Sequence, residues 1–421
     1  MIRLRPAWCL VWCLASAAAA TGGCTSVTPP ARPLVVGVLA PLTGPAAETG
    51  ADAVRGAQLA VEVVNQAHPT LAVPLAAGTG LPGLGGAALQ LVTADTAGNP
   101  VTASAQVSAL VTERHAIGLI TADSAESTEA AGTEVQRLRV PLLDARTTAD
   151  YLTELGVDWY FRTGPSDSQL ADSAFSLLGR QPARPGGGGH RVLLVTEAGA
   201  EGAAAAVRLR ELVPRSGAAV AAQVQMSAAD SPDTLDPDVH SGDAGAEPDA
   251  VLAWARSTAG AAAIVAAADR SGIPLYGLGQ GFRQFDRPLP EATTMMRAMP
   301  WSQDYAGRNP VARDVLRLYQ QRFDRPMSAA AADAFTAMIT LAGAVDAARS
   351  GDPAAIRTAL RQTSLPATSM IMPWNGVRFG PDGQNILAAA VVEQWQFRDF
   401  RLVYPVELAI TAARWGRRDA R

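Results

Sequence analysis

Short apolar runs alternate with segments of helical periodicity along most of the chain. The first run, residues 35–40, is apolar on both faces, which favours a strand buried between two layers of helices. A turn-rich loop at 41–50 follows, and the apolar side chains beyond it then recur at helical spacing: Val54, Ala57, Ala60, Val61 and Val64. A strand, a loop and a helix in this order open a doubly wound α/β domain, in which ligands bind at the carboxyl ends of the strands.

The same alternation predicts eight further strands, at 89–94, 117–121, 140–143, 159–162, 192–196, 218–224, 251–254 and 275–278. Helices are predicted between them, and longer ones follow at 310–323, 329–350 and 353–362. The chain ends in a β-rich segment with apolar runs at 377–379 and 386–397. With 421 residues the chain exceeds one typical core. We therefore predict an α/β fold of two doubly wound parallel-sheet lobes.

The N-terminus has the pattern of an export signal. Two arginines precede an apolar run at 8–20 that is short for a membrane span, so residues 1–23 are predicted to be a signal peptide. Residues 24–33 are rich in Ser, Thr and Pro and predict a tether.

The segment Thr21-Gly22-Gly23-Cys24 resembles a bacterial lipobox, although Thr21 stands where leucine is usual. Lipidation of Cys24 would hold the protein on the outer surface of a bacterial membrane. Cleavage after Ala20 by an ordinary signal peptidase is the alternative and would leave the protein secreted or periplasmic.

Composition excludes several kinds of chemistry. The net charge is −4 without a basic patch, so nucleic acid is not expected as a partner. The chain contains no lysine, which rules out Schiff-base and Walker-type lysine chemistry. Cys9, Cys13 and Cys24 are the only cysteines, and the four histidines lie apart without ligand spacing, so neither a metal site nor a cofactor is predicted.

Motifs that carry catalysis are not found. Residues 78–83 match G-x-G-x-x-G, but a strand follows them instead of a helix, so we interpret them as a loop. The sequence has no G-x-S-x-G elbow and no H-E-x-x-H. An enzyme is therefore not predicted.

The opening segment also resembles a known family. The pattern G-V-L-x-P-L-T-G-P, followed by a helix with R-G-A-x-L-A-V-E, is similar to the start of type I periplasmic solute-binding proteins. The branched-chain amino-acid receptors of ABC importers are the most similar group. The resemblance covers roughly residues 35–405 and implies the two-lobed periplasmic-binding-protein-like I fold.

In that family three strands cross between the lobes and form a hinge. The resemblance implies crossings near 162–165, 298–301 and 370–374. It divides the chain into lobe 1 (34–163 plus 299–370), lobe 2 (164–298 plus 371–408) and a tail (409–421).

The resemblance also implies ligand-binding positions in lobe 1. Asp123 and Ser124 end a predicted strand and begin a helix, where free N–H groups and a hydroxyl favour a carboxylate. The register leaves Ala122 as an alternative equivalent of the family's serine. Thr147 and Thr148 follow the next strand; their hydroxyls could bind the ligand or simply cap the next helix.

The remaining positions depart from the family. Thr49 stands where an aromatic side chain packs the ligand, and the neutral Gln280 stands where an acid meets the ligand's ammonium group. Arg256 adds positive charge near the cleft, which favours a carboxylate or another anion, unless it is a solvent-exposed loop charge.

These observations predict an extracytoplasmic solute-binding protein whose lobes close on a small ligand. The resemblance implies an amino acid or a related carboxylate or amide, and an ABC permease as partner. A ligand sensor of the same fold that feeds a signalling partner is the alternative.

Overall fold

The computed structural model describes residues 32–182, 189–230 and 248–415. The predicted signal peptide, Cys24 and most of the predicted tether lie outside the described residues, as do residues 231–247 and the last six residues.

The first sheet has five parallel strands in the order β2-β1-β3-β4-β5. Its strands are β1 (Leu34–Ala40), β2 (Leu89–Asp95), β3 (Gly118–Thr121), β4 (Leu142–Asp144) and β5 (Tyr160–Arg162). The helices between them are α1 (Ala47–Asn65), α2 (Pro100–Thr112), α3 (Ala125–Leu138) and α4 (Tyr151–Glu154). All four residues of β3 are buried, which agrees with a strand covered by helices on both faces.

The second sheet has seven strands in the order β14-β13-β10-β9-β8-β6-β7. The chain continues through α5 (Asp167–Leu178), β6 (Arg191–Glu197), α6 (Ala200–Leu212), β7 (Ala219–Met226), β8 (Ala250–Trp254), α7 (Thr258–Ser271), β9 (Leu275–Leu278), α8 (Gln280–Arg283) and β10 (Met295–Met299). Strands β11 (Leu365–Pro366) and β12 (Gly376–Val377) form a separate ribbon before β13 (Val391–Gln396) and β14 (Asp399–Tyr404). The prediction of two doubly wound α/β sheets is confirmed.

The second sheet is not wholly parallel, because β13 and β14 run antiparallel to their neighbours at its edge. Phe397 and Arg398 join these two strands, and both have positive φ (55° and 64°). A two-residue turn of this type matches the twist of a hairpin. Antiparallel pairing is therefore local to this edge.

Four further helices follow β10 along the chain: α9 (Gln303–Arg308), α10 (Pro310–Phe323), α11 (Ala329–Ala348) and α12 (Pro353–Arg361). Among the described residues, α11 is the one helix long and apolar enough to span a membrane, but 83% of its most apolar window is buried in the protein. It packs against α1 in the core of the first sheet, which identifies it as a core helix.

A buried polar network ties the end of β5 to the segment before β13. Arg162 is fully buried; its Nε donates to Gln384 Oε1 at 2.6 Å and its Nη1 to the Ala149 carbonyl at 2.5 Å. Asn385 Nδ2 donates to the Thr163 carbonyl at 3.0 Å. Residues 386–390 bond to 375–385 and to side chains of α5 instead of to β10, so β13 begins only at Val391, later than the apolar pattern predicts.

The two cores show where the chain passes between the sheets. The buried apolar side chains between Met370 and Ala388 pack in the core of the first sheet, whereas Ala390 packs in the core of the second sheet. We therefore propose the third passage at 388–390 rather than near 370–374. This packing weighs against assigning 371–388 to lobe 2, and the other lobe boundaries stay predictions.

Candidate functional site

A cavity of about 620 Å³ lies between the two sheets, at the carboxyl ends of their strands. The first sheet contributes the segments that follow β3 and β4, together with α4. The second sheet contributes α6, the segment after β8 and α8. Cavities of roughly 300–1,000 Å³ are the usual size for small-molecule sites.

Five of the seven side chains predicted from sequence line this cavity: Ser124, Thr147, Thr148, Arg256 and Gln280. The other two lie apart from it. Thr49 lines a second, smaller cavity. Asp123 is buried, where it accepts hydrogen bonds from the Thr96 hydroxyl and from the Ser124 N–H. That these residues bind a ligand stays a prediction.

Two of the predicted hydroxyls already have structural roles. Ser124 caps α3, because its Oγ accepts from the Ser127 N–H at 3.2 Å. Thr147 Oγ1 donates to Asp144 Oδ2, so its hydroxyl can only accept a further bond. Capping of the next helix, the alternative for Thr147 and Thr148, is not found, because no side chain of the described residues caps α4. A ligand carboxylate would have to compete with Asp144 for the proton of Thr147.

Asp167, the first residue of α5, lines the same cavity. The indole of Trp254 donates to its Oδ2 at 3.4 Å, while its Oδ1 is buried and makes no hydrogen bond within the described chain. Burial raises the pKa of Asp167, and the neighbouring Asp150 raises it further. This carboxyl is an acceptor facing the cleft.

Glu197 organises the segment after β8. Its carboxylate accepts from the Arg256 N–H at 2.7 Å and from the N–H and hydroxyl of Ser257 at 2.8 and 2.6 Å. The Arg256 side chain is 62% exposed and its Nε lies 3.4 Å from Glu201 Oε2. Arg256 therefore lies at the rim of the cavity with an acidic partner of its own.

Glu126, in the first turn of α3, and Glu201, in the first turn of α6, face each other across the cavity. Burial and the hydrogen bond with Glu126 raise the pKa of Glu201 to about 7. The same hydrogen bond lowers the pKa of Glu126. Two carboxyls held close together separate their pKa values in this way.

A second cavity, of about 260 Å³, lies beside the first and contains charged groups that sequence reasoning missed. Arg146, Arg283 and Asp333 line it, and Arg283 lines the first cavity as well. Asp333 offered a signal in sequence, because it is an acid in the first turns of the alanine-rich, mostly apolar α11. Arg146 and Arg283 offered none, since Arg146 lies in a polar loop after β4 and Arg283 ends the one-turn helix α8, and neither segment has an unusual composition.

Asp333 gives the protein a testable pH dependence. Burial raises its pKa to about 7, although Arg283 and Arg146 oppose this and Asp144 adds to it. A raised pKa means that the folded chain holds a proton which the unfolded chain releases near pH 4, so the stability from this group is lost as pH rises toward 7. Asp333→Asn should remove that loss and make the protein more stable than wild type at pH 8, on the order of 2 kcal/mol, but not at pH 4.

Urea unfolding of both proteins at pH 4, 6 and 8 measures this effect. A difference between Asp333→Asn and wild type that does not change with pH would contradict it.

Comparison with known proteins places this geometry in a family. The model of a family described as periplasmic binding protein matches residues 33–397. A search of curated proteins by sequence gives no significant match.

Solved structures share the fold. A substrate-binding protein of an ABC transporter from Desulfitobacterium hafniense, solved with leucine, has a TM-score of 0.69 at 17% identity, covering 88% of this chain and 100% of its own. A putative branched-chain amino acid ABC transporter protein from Silicibacter pomeroyi has a TM-score of 0.72 at 16% identity, covering 91% and 99%. A solute-binding protein from R. palustris, solved with benzoate, has a TM-score of 0.63 at 19% identity, covering 88% and 95%. Because the family model spans most of the chain, the protein belongs to the periplasmic binding protein family.

Proposed function

We propose that this protein captures a small carboxylate-bearing solute, an amino acid or a close relative, and presents it to the permease of an ABC importer. The observation that carries the proposal is the cavity of about 620 Å³ between the carboxyl ends of two sheets, lined by both. The solved structures add support, since the proteins from Desulfitobacterium hafniense and R. palustris were solved with leucine and with benzoate, both of which carry a carboxylate.

A ligand in this position would favour a closed arrangement of the two sheets. It touches the segments after β3 and β4 on one side and α6 and α8 on the other, so it binds the closed form better than an open one. The ligand therefore increases the population of the closed form, and a permease could recognise that form as the loaded protein. The proposal contains no chemical step, and binding without turnover is part of it.

The function is tested by thermal unfolding in the presence of candidate solutes. A panel of amino acids, benzoate and short-chain carboxylates, amides and ureas would be added singly to the mature protein. At least one carboxylate should raise the melting temperature, and the rise should grow with its concentration, because it binds only the folded state. A melting temperature that no member of the panel raises would count against solute capture of this class.

Membership of the family places the chain outside the cytoplasm. We propose further that Cys24 carries the lipid that holds it at the membrane, on the support of the lipobox-like segment 21–24. Mass spectrometry of the mature protein should then find an acylated Cys24 as its first residue. An unmodified chain that begins at Thr21 would overturn the anchor and leave solute binding untouched.

A further inference from the structure

The second cavity lies where both sheets and α11 meet. Its walls come from the first turn of α1, the segment after β4, α8 with the residue after it, the end of β10 and the first turns of α11. Arg283 lines this cavity and the first one. A solute in the first cavity could therefore extend past Arg283 into the second.

Two guanidinium groups in this cavity have no carboxylate partner within the described chain. Arg146 makes no side-chain hydrogen bond or ion pair there, although its carbonyl accepts from Arg283 Nη1 at 3.3 Å. Arg283 uses that one bond, and its buried Nε has no acceptor among the described residues. Burial and the proximity of Arg283 lower the pKa of Arg146 to about 10, so both remain cations at neutral pH.

The third group is the carboxyl of Asp333. It is only 4% exposed, and its Oδ1 makes no hydrogen bond within the part of the chain that the structure describes. A buried polar atom without a hydrogen-bond partner destabilises the fold unless a ligand supplies one. Asp333 is therefore a buried acceptor that borders the cavity, and it lies within electrostatic range of both arginines without an ion pair to either.

The other acids in this cavity do not neutralise the arginines. Asp52 pairs with Arg55 and, at 3.4 Å, with Arg325. Glu48 pairs with Arg325 at 3.3 Å and is 82% exposed. Among the described charged groups that line the cavity, two cations and one carboxyl are left without an ion pair, so the lining itself suits one anionic group. Asp123, Asp144 and Asp167 also lie within electrostatic range of the arginines, but they do not line this cavity and each accepts hydrogen bonds elsewhere.

The loop hydroxyls in the first cavity are the alternative position for the carboxylate, and they would bind it more weakly. Of the hydroxyls predicted to hold a carboxylate, that of Ser124 caps α3 and that of Thr147 donates to Asp144. Charge-assisted bonds from arginine to a carboxylate are roughly twice as strong as neutral ones. A carboxylate therefore gains more between Arg146 and Arg283 than at the loop hydroxyls.

We propose that the second cavity receives the head group of a 2-amino or 2-hydroxy acid. The carboxylate lies between Arg146 and Arg283, and the neighbouring ammonium or hydroxyl group donates to Asp333. The remainder of the solute extends past Arg283 into the first cavity. This inference rests on the proposed function and specifies which end of the solute lies where.

The arrangement also couples binding to closure. Arg146 follows a strand of the first sheet, and Arg283 ends α8 beside the second sheet. One carboxylate held by both guanidinium groups joins the two sheets directly. The cavity of about 260 Å³ is small for a whole solute of the usual size but has room for a head group.

Matched sets of ligands and variants test the inference. For the carbon skeletons of alanine, leucine and phenylalanine, the 2-amino acid, the 2-hydroxy acid, the plain carboxylic acid and the amine without a carboxylate would each be titrated by calorimetry. We expect the acids to bind, the 2-substituted acids to bind more tightly than the plain ones, and the amines not to bind. Arg146→Gln and Arg283→Gln should each weaken binding of the acids roughly 10- to 100-fold.

Asp333→Asn separates the role of the acceptor from that of the arginines. At pH 8, where the Asp333 carboxyl is ionised, the substitution should weaken binding of the 2-amino acid at least about 10-fold, because the ammonium loses a charged acceptor, and should change binding of the plain acid by less than about 3-fold. Arg322→Gln is the matched control, since Arg322 is exposed, pairs with Glu62 and lines neither cavity. Thermal unfolding without ligand establishes that each variant is folded.

Two outcomes would overturn the inference and leave solute binding intact. One is a 2-amino or 2-hydroxy acid that binds Arg146→Gln and Arg283→Gln as tightly as wild type. The other is a wild-type protein that binds only the amines of the set or only neutral solutes.

Discussion

Replacing Gly56 with alanine is expected to lower the free energy of unfolding by about 3 kcal/mol. A Cβ atom at Gly56 would lie 2.0 Å from the carbonyl oxygen of Ala331, 2.7 Å from its carbonyl carbon and 2.8 Å from its Cα. All three are backbone atoms of α11, so no side chain can swing aside. The clash has to be relieved by separating α1 from α11.

That separation would open the core of the first sheet. Phe335 and Met338 of α11 are buried there, 2% and 0% exposed, so a small shift of the helix loses contacts along its length. Because α11 also carries Asp333, the same shift would disturb the second cavity. Gly56 is therefore a requirement of close helix packing.

Gly343→Ala is the matched control, because Gly343 lies in α11 itself and a Cβ there would have nothing within 4 Å. Alanine in a helix interior is favoured over glycine by about 0.5–1 kcal/mol, so this variant should be as stable as wild type or more stable. Urea unfolding followed by circular dichroism compares the three proteins. A Gly56→Ala protein as stable as wild type would show that α1 and α11 do not pack this closely.

The sequence alone predicted the order of the central strands because these strands are apolar on both faces, and that pattern needs no knowledge of the fold. The runs at 35–40 and 251–254 correspond closely to β1 and β8. The strand near the C-terminus was placed too early, from residue 386, because Ile386 and its neighbours look like strand residues. The N–H of Ile386 bonds instead to the nearby Arg378 carbonyl, and the carbonyls of Ala388 and Ala390 accept from α5 side chains that lie more than 200 residues away in sequence.

The candidate site was predictable only in part. Ser124 and Thr148 follow strands of the first sheet, and loops at the carboxyl ends of strands meet at one edge by topology. Arg146, Arg283 and Asp333 lie far apart in sequence and meet only through the packing of α11 against the first sheet and the apposition of α8. Pairing of charges across such distances leaves no local pattern.

Blocking the first cavity with a bulky side chain is expected to abolish solute binding. Ala204 lies on α6, lines the cavity and is exposed, so Ala204→Trp should place an indole in the space of the solute without disturbing a core. We expect the affinity to fall more than roughly 100-fold, which corresponds to about 2.7 kcal/mol. Ala203→Trp is the matched control, because Ala203 is also exposed on α6 but does not line the cavity.

The central claim is that a small solute binds in the cavity between the two sheets, and isothermal titration calorimetry of these variants measures it. The titrant is the carboxylate that raises the melting temperature most in the solute panel. One solute should bind per chain of wild type and of Ala203→Trp with the same affinity, and Ala204→Trp should show no binding heat at the same concentrations. Wild-type affinity in Ala204→Trp would contradict the claim and place the solute elsewhere.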